Sequence, residues 1–215
     1  PLSPWPLRPR DDPAAGPALK AALAASKVVF TSPAAVRAAN ALQPLRAHRR
    51  QQWFAVGAGT AAALRRAGIA QVQAPQRMDS EGLLALPGLA ALEGIEVGFV
   101  SAPGGRGVLV PSLQARGARI LRADVYERVP LTPSSRAGAQ LQALSAPAVL
   151  ALSSGEALQR ILETLPATAL AALRRARIVA ASERLAGFAR ECGFDDVVTA
   201  RGPRPADLRA AAGDA

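Results

Sequence analysis

Five short segments of the chain end an apolar run on small polar residues, and apolar residues at helical spacing follow each turn. The polar residues are Thr31 and Ser32 in VVFTSPAAV, Gly57, Gly59 and Thr60 in AVGAGTAAAL, and Ser101, Gly104, Gly105 and Arg106 in FVSAPGGRGVLV. Ser153 and Ser154 in LALSSGEAL and Ser182 in VAASERLAGF complete the set. Ser32 is a favoured N-cap and Pro33 suits the first helical position, so capping alone explains one such turn. A recurring turn does more. Strand-to-helix turns offer backbone N–H groups at helix N-termini, which favour anions, and in an open parallel sheet they gather at one crevice. The pattern therefore predicts an α/β protein with a site for a polyanionic ligand.

Bulk properties narrow the chemistry. The 215 residues carry a formal net charge of +10 and a sequence pI of about 11.4, nearly all of it from arginine, whose planar fork suits carboxylate and phosphate. No basic run is interleaved with stacking aromatics and no DNA- or RNA-binding signature is present, so nucleic acid is not the expected partner. Cys192 is the only cysteine and His48 the only histidine. A disulfide framework, a Cys/His zinc site and Ser-His-Asp catalysis are thereby set aside, and neither metal nor cofactor is expected. His48, in LRAHRR, is expected at a solvated helix end. The opening PLSPWPLRPRDDPAAGP lacks the apolar centre of a signal peptide and no run is long enough to span a bilayer, so the expected compartment is the cytoplasm.

The organisation is duplicated. VVFTSPAAV set over AVLALSSGEAL aligns Phe30 with Leu152, Thr31 with Ser153 and Ser32 with Ser154, and the next strand-turn-helix-glycine-strand units align as well. Two α/β halves follow, with ARILRADVYERVPLTPSSRA as the hand-over and PLSPWPLRP as its extended counterpart. The second half offers only three clear strands, at 148–152, 177–181 and 196–200, and the chain begins at Pro1, so an N-terminal strand and helix are expected to be missing.

These motifs, in this order, resemble the uroporphyrinogen-III synthase family: VVFTSPAAV, AVGAGTAAALRRAG, DSEGLL, APGGRGVLVPSLQARGA, DVYERVP, LALSSGEAL and VAASERLAGFARECGF. The resemblance implies two similar doubly wound parallel-sheet domains joined by a two-stranded linker, with the active site in the interdomain cleft. Residues 1–9 and 123–130 would be the linker strands, 10–122 the inner domain and 131–215 the outer domain, incomplete without the family's first strand and helix. It implies a cofactor-independent lyase that cyclises hydroxymethylbilane to uroporphyrinogen III, losing water and inverting ring D through a spiro intermediate. The substrate, a linear tetrapyrrole with eight carboxylates, suits a basic crevice lined by helix N-termini. The family's cleft tyrosine matches Tyr126, the catalytic candidate. A strand tyrosine more often serves packing, but a phenol holds its proton at neutral pH and can give it to a departing hydroxyl. Thr31, Ser32, Thr60, Ser101, Gly104, Gly105, Arg106, Ser153, Ser154 and Ser182 are then substrate-binding candidates. A monomer receiving substrate by transient hand-over from hydroxymethylbilane synthase is the implied assembly.

Two other readings stand beside this one. VGAGTA reads as a glycine-rich dinucleotide turn through Gly57 and Gly59, although QVQAP lacks the acidic residue that would hold a ribose. A non-catalytic two-domain anion-binding module would share the charge and the crevice.

Overall fold

The computed structural model describes residues 5–104, 107–131, 133–144 and 148–213. The chain divides into two compact units, Leu7–Val129 and a second made of Pro1–Pro6 with Pro130–Ala215.

In the first unit the elements run β1 (Leu7–Pro9), α1 (Ala15–Ala24), β2 (Lys27–Phe30), α2 (Pro33–Leu42), β3 (Gln52–Ala55), α3 (Ala58–Arg66) and α4 (Ser80–Leu84). They continue through β4 (Glu96–Ser101), α5 (Leu109–Ala115), β5 (Arg119–Asp124) and β6 (Tyr126–Arg128). β2, β3, β4 and β5 form a parallel sheet in the order β3-β2-β4-β5, with Val28 opposite Trp53 on one side and Gly98 on the other. Successive strand side chains point to opposite faces, and here both faces are apolar. Val28, Phe30, Trp53, Ala55 and Val100 pack with Leu19, Val36 and Leu64 from α1, α2 and α3. Val29, Phe54, Val97 and Phe99 pack on the other side with Leu83, Leu92, Leu109 and Leu113. Gly98 permits the close approach of α1, because a Cβ there would overlap the carbonyl oxygen of Ala22. β1 and β6 pair antiparallel, with Leu7 opposite Arg128 and Pro9 opposite Tyr126, and Arg8 forms an ion pair with its cross-strand partner Glu127.

In the second unit α6 (Ser135–Gln142), β7 (Val149–Leu152), α7 (Gly155–Thr164), α8 (Ala167–Arg174), β8 (Arg177–Ala180), α9 (Glu183–Glu191), β9 (Val197–Thr199) and α10 (Pro205–Gly213) follow in turn. The sheet is parallel in the order β7-β8-β9. One apolar cluster joins Leu152, Ile178 and Ala180 to Leu158, Ile161, Leu173, Leu185 and Phe194. His48, expected at a helix end, lies in an exposed loop, because α2 stops at Leu42 and Pro44 cannot extend it. Cys192 closes α9 as its C-cap, half-buried against the apolar cluster, and burial pushes its thiol above the ordinary value.

Candidate functional site

The site candidates begin as helix caps. Ser32 N-caps α2, its Oγ accepting from the Ala35 N–H at 3.0 Å, with Pro33 in the first helical position. Ser154 caps α7 through the Ala157 N–H at 3.3 Å, and Ser182 caps α9 through the Leu185 N–H at 3.4 Å. Their side chains adopt the geometry that satisfies orphan helix donors, as their residue types require. What separates Ser32 from the other two lies beyond the cap.

In the first unit the C-terminal ends of β2 and β4, the turns after them and the start of α5 surround a cavity of about 540 Å3. Thr31, Ser32, Ser80, Ser101, Gly104, Arg122, Tyr126 and Arg128 contribute its polar lining, and Val56, Phe99, Val108 and Leu109 are among its apolar walls. This is the size and character of a ligand pocket: mostly apolar, with a few convergent polar groups. Ser32 Oγ lies 3.0 Å from Tyr126 Oη, and Thr31 Oγ1 donates to Ser101 Oγ at 2.9 Å. The ring of Tyr126 belongs to the core of the unit and the residue is only 5% exposed, so its hydroxyl is held where the cavity meets the packed sheet.

Arg122 and Arg128 were not among the sequence candidates. Both sit in strands, Arg122 two residues before DVYERVP and Arg128 within it, away from the strand-to-helix turns, so no turn signal marks them. Only strand register could have done so: Arg122 stands opposite Phe99 on β4, near the C-terminal edge where the pocket opens. The Arg122 Nε donates to both carboxylate oxygens of Asp124, at 3.1 and 3.0 Å, and its Nη2 reaches the carbonyl of Ala102 at 3.3 Å. These contacts hold the guanidinium at the pocket wall, ready to meet an anion with its remaining N–H groups.

The remaining candidates are placed differently. Thr60 is 4% exposed within α3 and does not line the cavity; helical periodicity turns it inward. Gly105 and Arg106 lie outside the described residues. Ser153, Ser154 and Ser182 belong to the second unit, at the ends of β7 and β8. The five turns therefore split three and two between separate sheets rather than sharing one. Gly57 and Gly59 open α3, but a Cβ on Gly57 would meet the Met78 side chain at 3.2 Å. That side chain covers the glycine whose bareness a pyrophosphate would need, so the geometry does not favour a dinucleotide there. Among the described residues no cluster of three or more His, Cys, Asp or Glu side chains could hold a metal, and no helix is long and apolar enough to cross a membrane.

The chain is similar to proteins of one known family. Residues 7–210 match the family described as uroporphyrinogen-III synthase HemD. The chain is 34% identical over 151 residues to the uroporphyrinogen-III synthase of Salmonella typhimurium, covering 69% of this chain and 61% of that protein. It is 32% identical over 154 residues to the Escherichia coli K12 enzyme of the same name, covering 71% and 63%. The match thus spans somewhat less than two thirds of the length of these relatives. In fold, the chain is similar to the uroporphyrinogen-III synthetase of Helicobacter pylori, with a TM-score of 0.64 at 16% identity over 96% of this chain and 88% of that one. A mutant uroporphyrinogen III synthase of Thermus thermophilus gives a TM-score of 0.61 at 20% identity over 95% and 84%. With the family match running through both α/β units, this chain belongs to the uroporphyrinogen-III synthase family.

Proposed function

We propose that the protein converts hydroxymethylbilane to uroporphyrinogen III. The observation that carries the reading is the placement of the sole tyrosine hydroxyl at a pocket that also holds two arginines, in a chain of this family. Tyr126 gives its proton to the terminal hydroxyl of the substrate. The C–O bond breaks with its electron pair on oxygen, water leaves, and the charge remains on the substrate as a pyrrole-stabilised cation. Ring D attacks through its substituted carbon to give the spiro intermediate; the original bond from that carbon to the methylene bridge of ring C then breaks, and that methylene, now the cation, bonds to the unsubstituted α-carbon of ring D, leaving the ring inverted. The proton lost as the macrocycle regains aromaticity at that ring restores the phenol.

Arg122 and Arg128 meet substrate carboxylates, and Thr31 and Ser101 meet its smaller polar groups. Ser153, Ser154 and Ser182 supply anion contacts from the second unit. Unaided closure leaves ring D uninverted, so the pocket's main contribution is conformational: it favours the transition state for attack at the substituted carbon. The reading includes a monomer working in the cytoplasm, taking substrate by transient hand-over and needing no cofactor or metal.

The test is turnover of hydroxymethylbilane with separation of the product isomers. The ring-inverted isomer is the expected product, with activity surviving exhaustive chelation and dialysis. Formation of only the uninverted isomer, at the spontaneous rate, would overturn the reading. Tyr126→Phe should lower kcat by about a hundredfold or more, the usual contribution of a positioned general acid. Arg122→Gln should chiefly raise KM, since a carboxylate it holds does not react.

A further inference from the structure

The donor and acceptor inventory around Tyr126 leaves two arrangements for its hydrogen bond with Ser32, and the N-terminus of α2 favours one of them. A serine hydroxyl has one proton and two lone pairs. One lone pair of Ser32 takes the Ala35 N–H, and the other partner within reach among the described residues is Tyr126 Oη, at 3.0 Å. The hydroxyls of Thr31 and Ser101 are occupied with each other, and Ser101 passes its proton to the Ala102 carbonyl at 3.3 Å. They do not compete for either group.

If Tyr126 donated to Ser32, the phenol proton would be engaged by the serine, and the serine proton would be the one left without an acceptor among the described residues. If Ser32 donates to Tyr126, the serine proton has its acceptor and the phenol proton is the one left free for a group in the cavity. The ten-residue helix α2 favours the second arrangement. Its N-terminus carries partial positive charge, and an N–H bond into Ser32 Oγ makes that hydroxyl a stronger donor. The same bond strengthens when the phenol oxygen becomes negative.

We propose that Ser32 is a positioning residue for Tyr126: it links the N-terminus of α2 to the phenol oxygen, aims the phenol proton into the cavity and supports the phenolate left after proton transfer. This deepens the proposed function, which gives Tyr126 its role, and differs from assigning Ser32 to a substrate carboxylate.

Tyr126 is the only tyrosine in the chain, so its ionisation can be followed without turnover, by the ultraviolet tyrosinate band or by a single ring-carbon NMR resonance from labelled tyrosine. Ser32→Ala should move the midpoint of that titration upward by about half a pH unit or more, the scale of one net hydrogen bond. Ser32→Thr, which keeps both the cap and the donor, should return it to the parent value. Ser32→Asp caps α2 but can only accept from the phenol at neutral pH, so it should hold the melting temperature while raising the midpoint further. In turnover, Ser32→Ala and Ser32→Asp should lower kcat by about tenfold with little change in KM, and Ser32→Ala should cost nothing more in a Tyr126→Phe background. An unmoved titration in Ser32→Ala or Ser32→Asp would overturn the proposal, as would a kcat loss that stays fully additive with Tyr126→Phe. Should the parent protein fail to turn over hydroxymethylbilane, the functional reading falls and the titration alone decides the role of Ser32.

Discussion

β2 and β7 begin as equivalent segments, KVVFTS and VLALSS, and end in different environments. β2 lies between β3 and β4, with Val28, Val29 and Phe30 fully buried. β7 lies at the edge of its sheet: Val149 is 52% exposed, Ala151 is exposed, and only Leu152 is well buried. The rest of the correspondence holds. β8 follows β7 as β3 follows β2, and β9 flanks β8 where Gln73 bridges to Phe54 on β3. The difference is one neighbour. β4 covers the second side of β2, and among the described residues no strand does so for β7. A parallel strand buried on both faces and both edges becomes an obligatory part of a core, whereas an edge strand keeps unpaired backbone groups and tolerates polar substitution.

The sharpest way to break this contrast is to place a charge at equivalent positions. Val29→Lys should cost about 4 kcal/mol or more and unfold the first unit, because an ammonium at a fully buried site has no partner. Ala151→Lys, its counterpart on β7, should change stability by no more than about 0.5 kcal/mol. Denaturant melts of the two variants check the pair, and comparable losses would show that the β7 edge is covered in solution.

Gly98→Val is expected to come next, at about 3 kcal/mol, since its side chain must displace the Ala22 carbonyl and with it α1. Hydrogen exchange should show the loss in the Leu7–Val129 unit, with the second unit's protection retained. Loss of protection across both units would mean that they unfold as one.

Ser182→Ala sharpens the comparison from the other side. Removing this cap should cost about 1 kcal/mol in the second unit, visible as a lower denaturant midpoint, and leave the Tyr126 titration unmoved. The corresponding change at Ser32 should affect both.

The smallest effect is acidic. Hydrogen bonds from Arg10 and Arg204 hold the carboxyls of Asp12 and Asp207 below the ordinary value of 3.8, one in each unit. Their contribution is therefore present above that value and fades as pH falls through the lower folded-state values. Both pairs are at the surface, so Asp12→Asn and Asp207→Asn should each flatten the acid limb of stability slightly and to a similar degree. A much larger change for one of them would mark that pair as a true structural bond.

Much of this was legible along the chain. The strands at 148–152, 177–181 and 196–200 coincide with β7, β8 and β9 to within a residue or two, because short apolar runs ending at hydroxyl caps and glycine C-caps are local signals. Ser32, Ser154 and Ser182 are caps for the same reason. Thr60 looked like a turn residue and is a buried helix residue, since the turn ends at Gly57, two residues before Gly59, and the helix then rotates Thr60 inward. Arg122 and Arg128 were invisible, because an arginine on a strand with alternating charge looks like a solvated edge until the register brings it to the mouth of a pocket.

The sequence by itself determined where strands stop and helices start, which hydroxyls cap them, and that the chain is basic with a single tyrosine; all of these depend on residues a few positions apart. Tertiary structure alone decided which of two corresponding strands is central, which of ten candidate residues share a pocket, and that Ser32 stands beside Tyr126, 94 positions along the chain. Such pairings depend on strand order and register, which are set by the packing of two sheet faces against helices and leave no trace in local spacing.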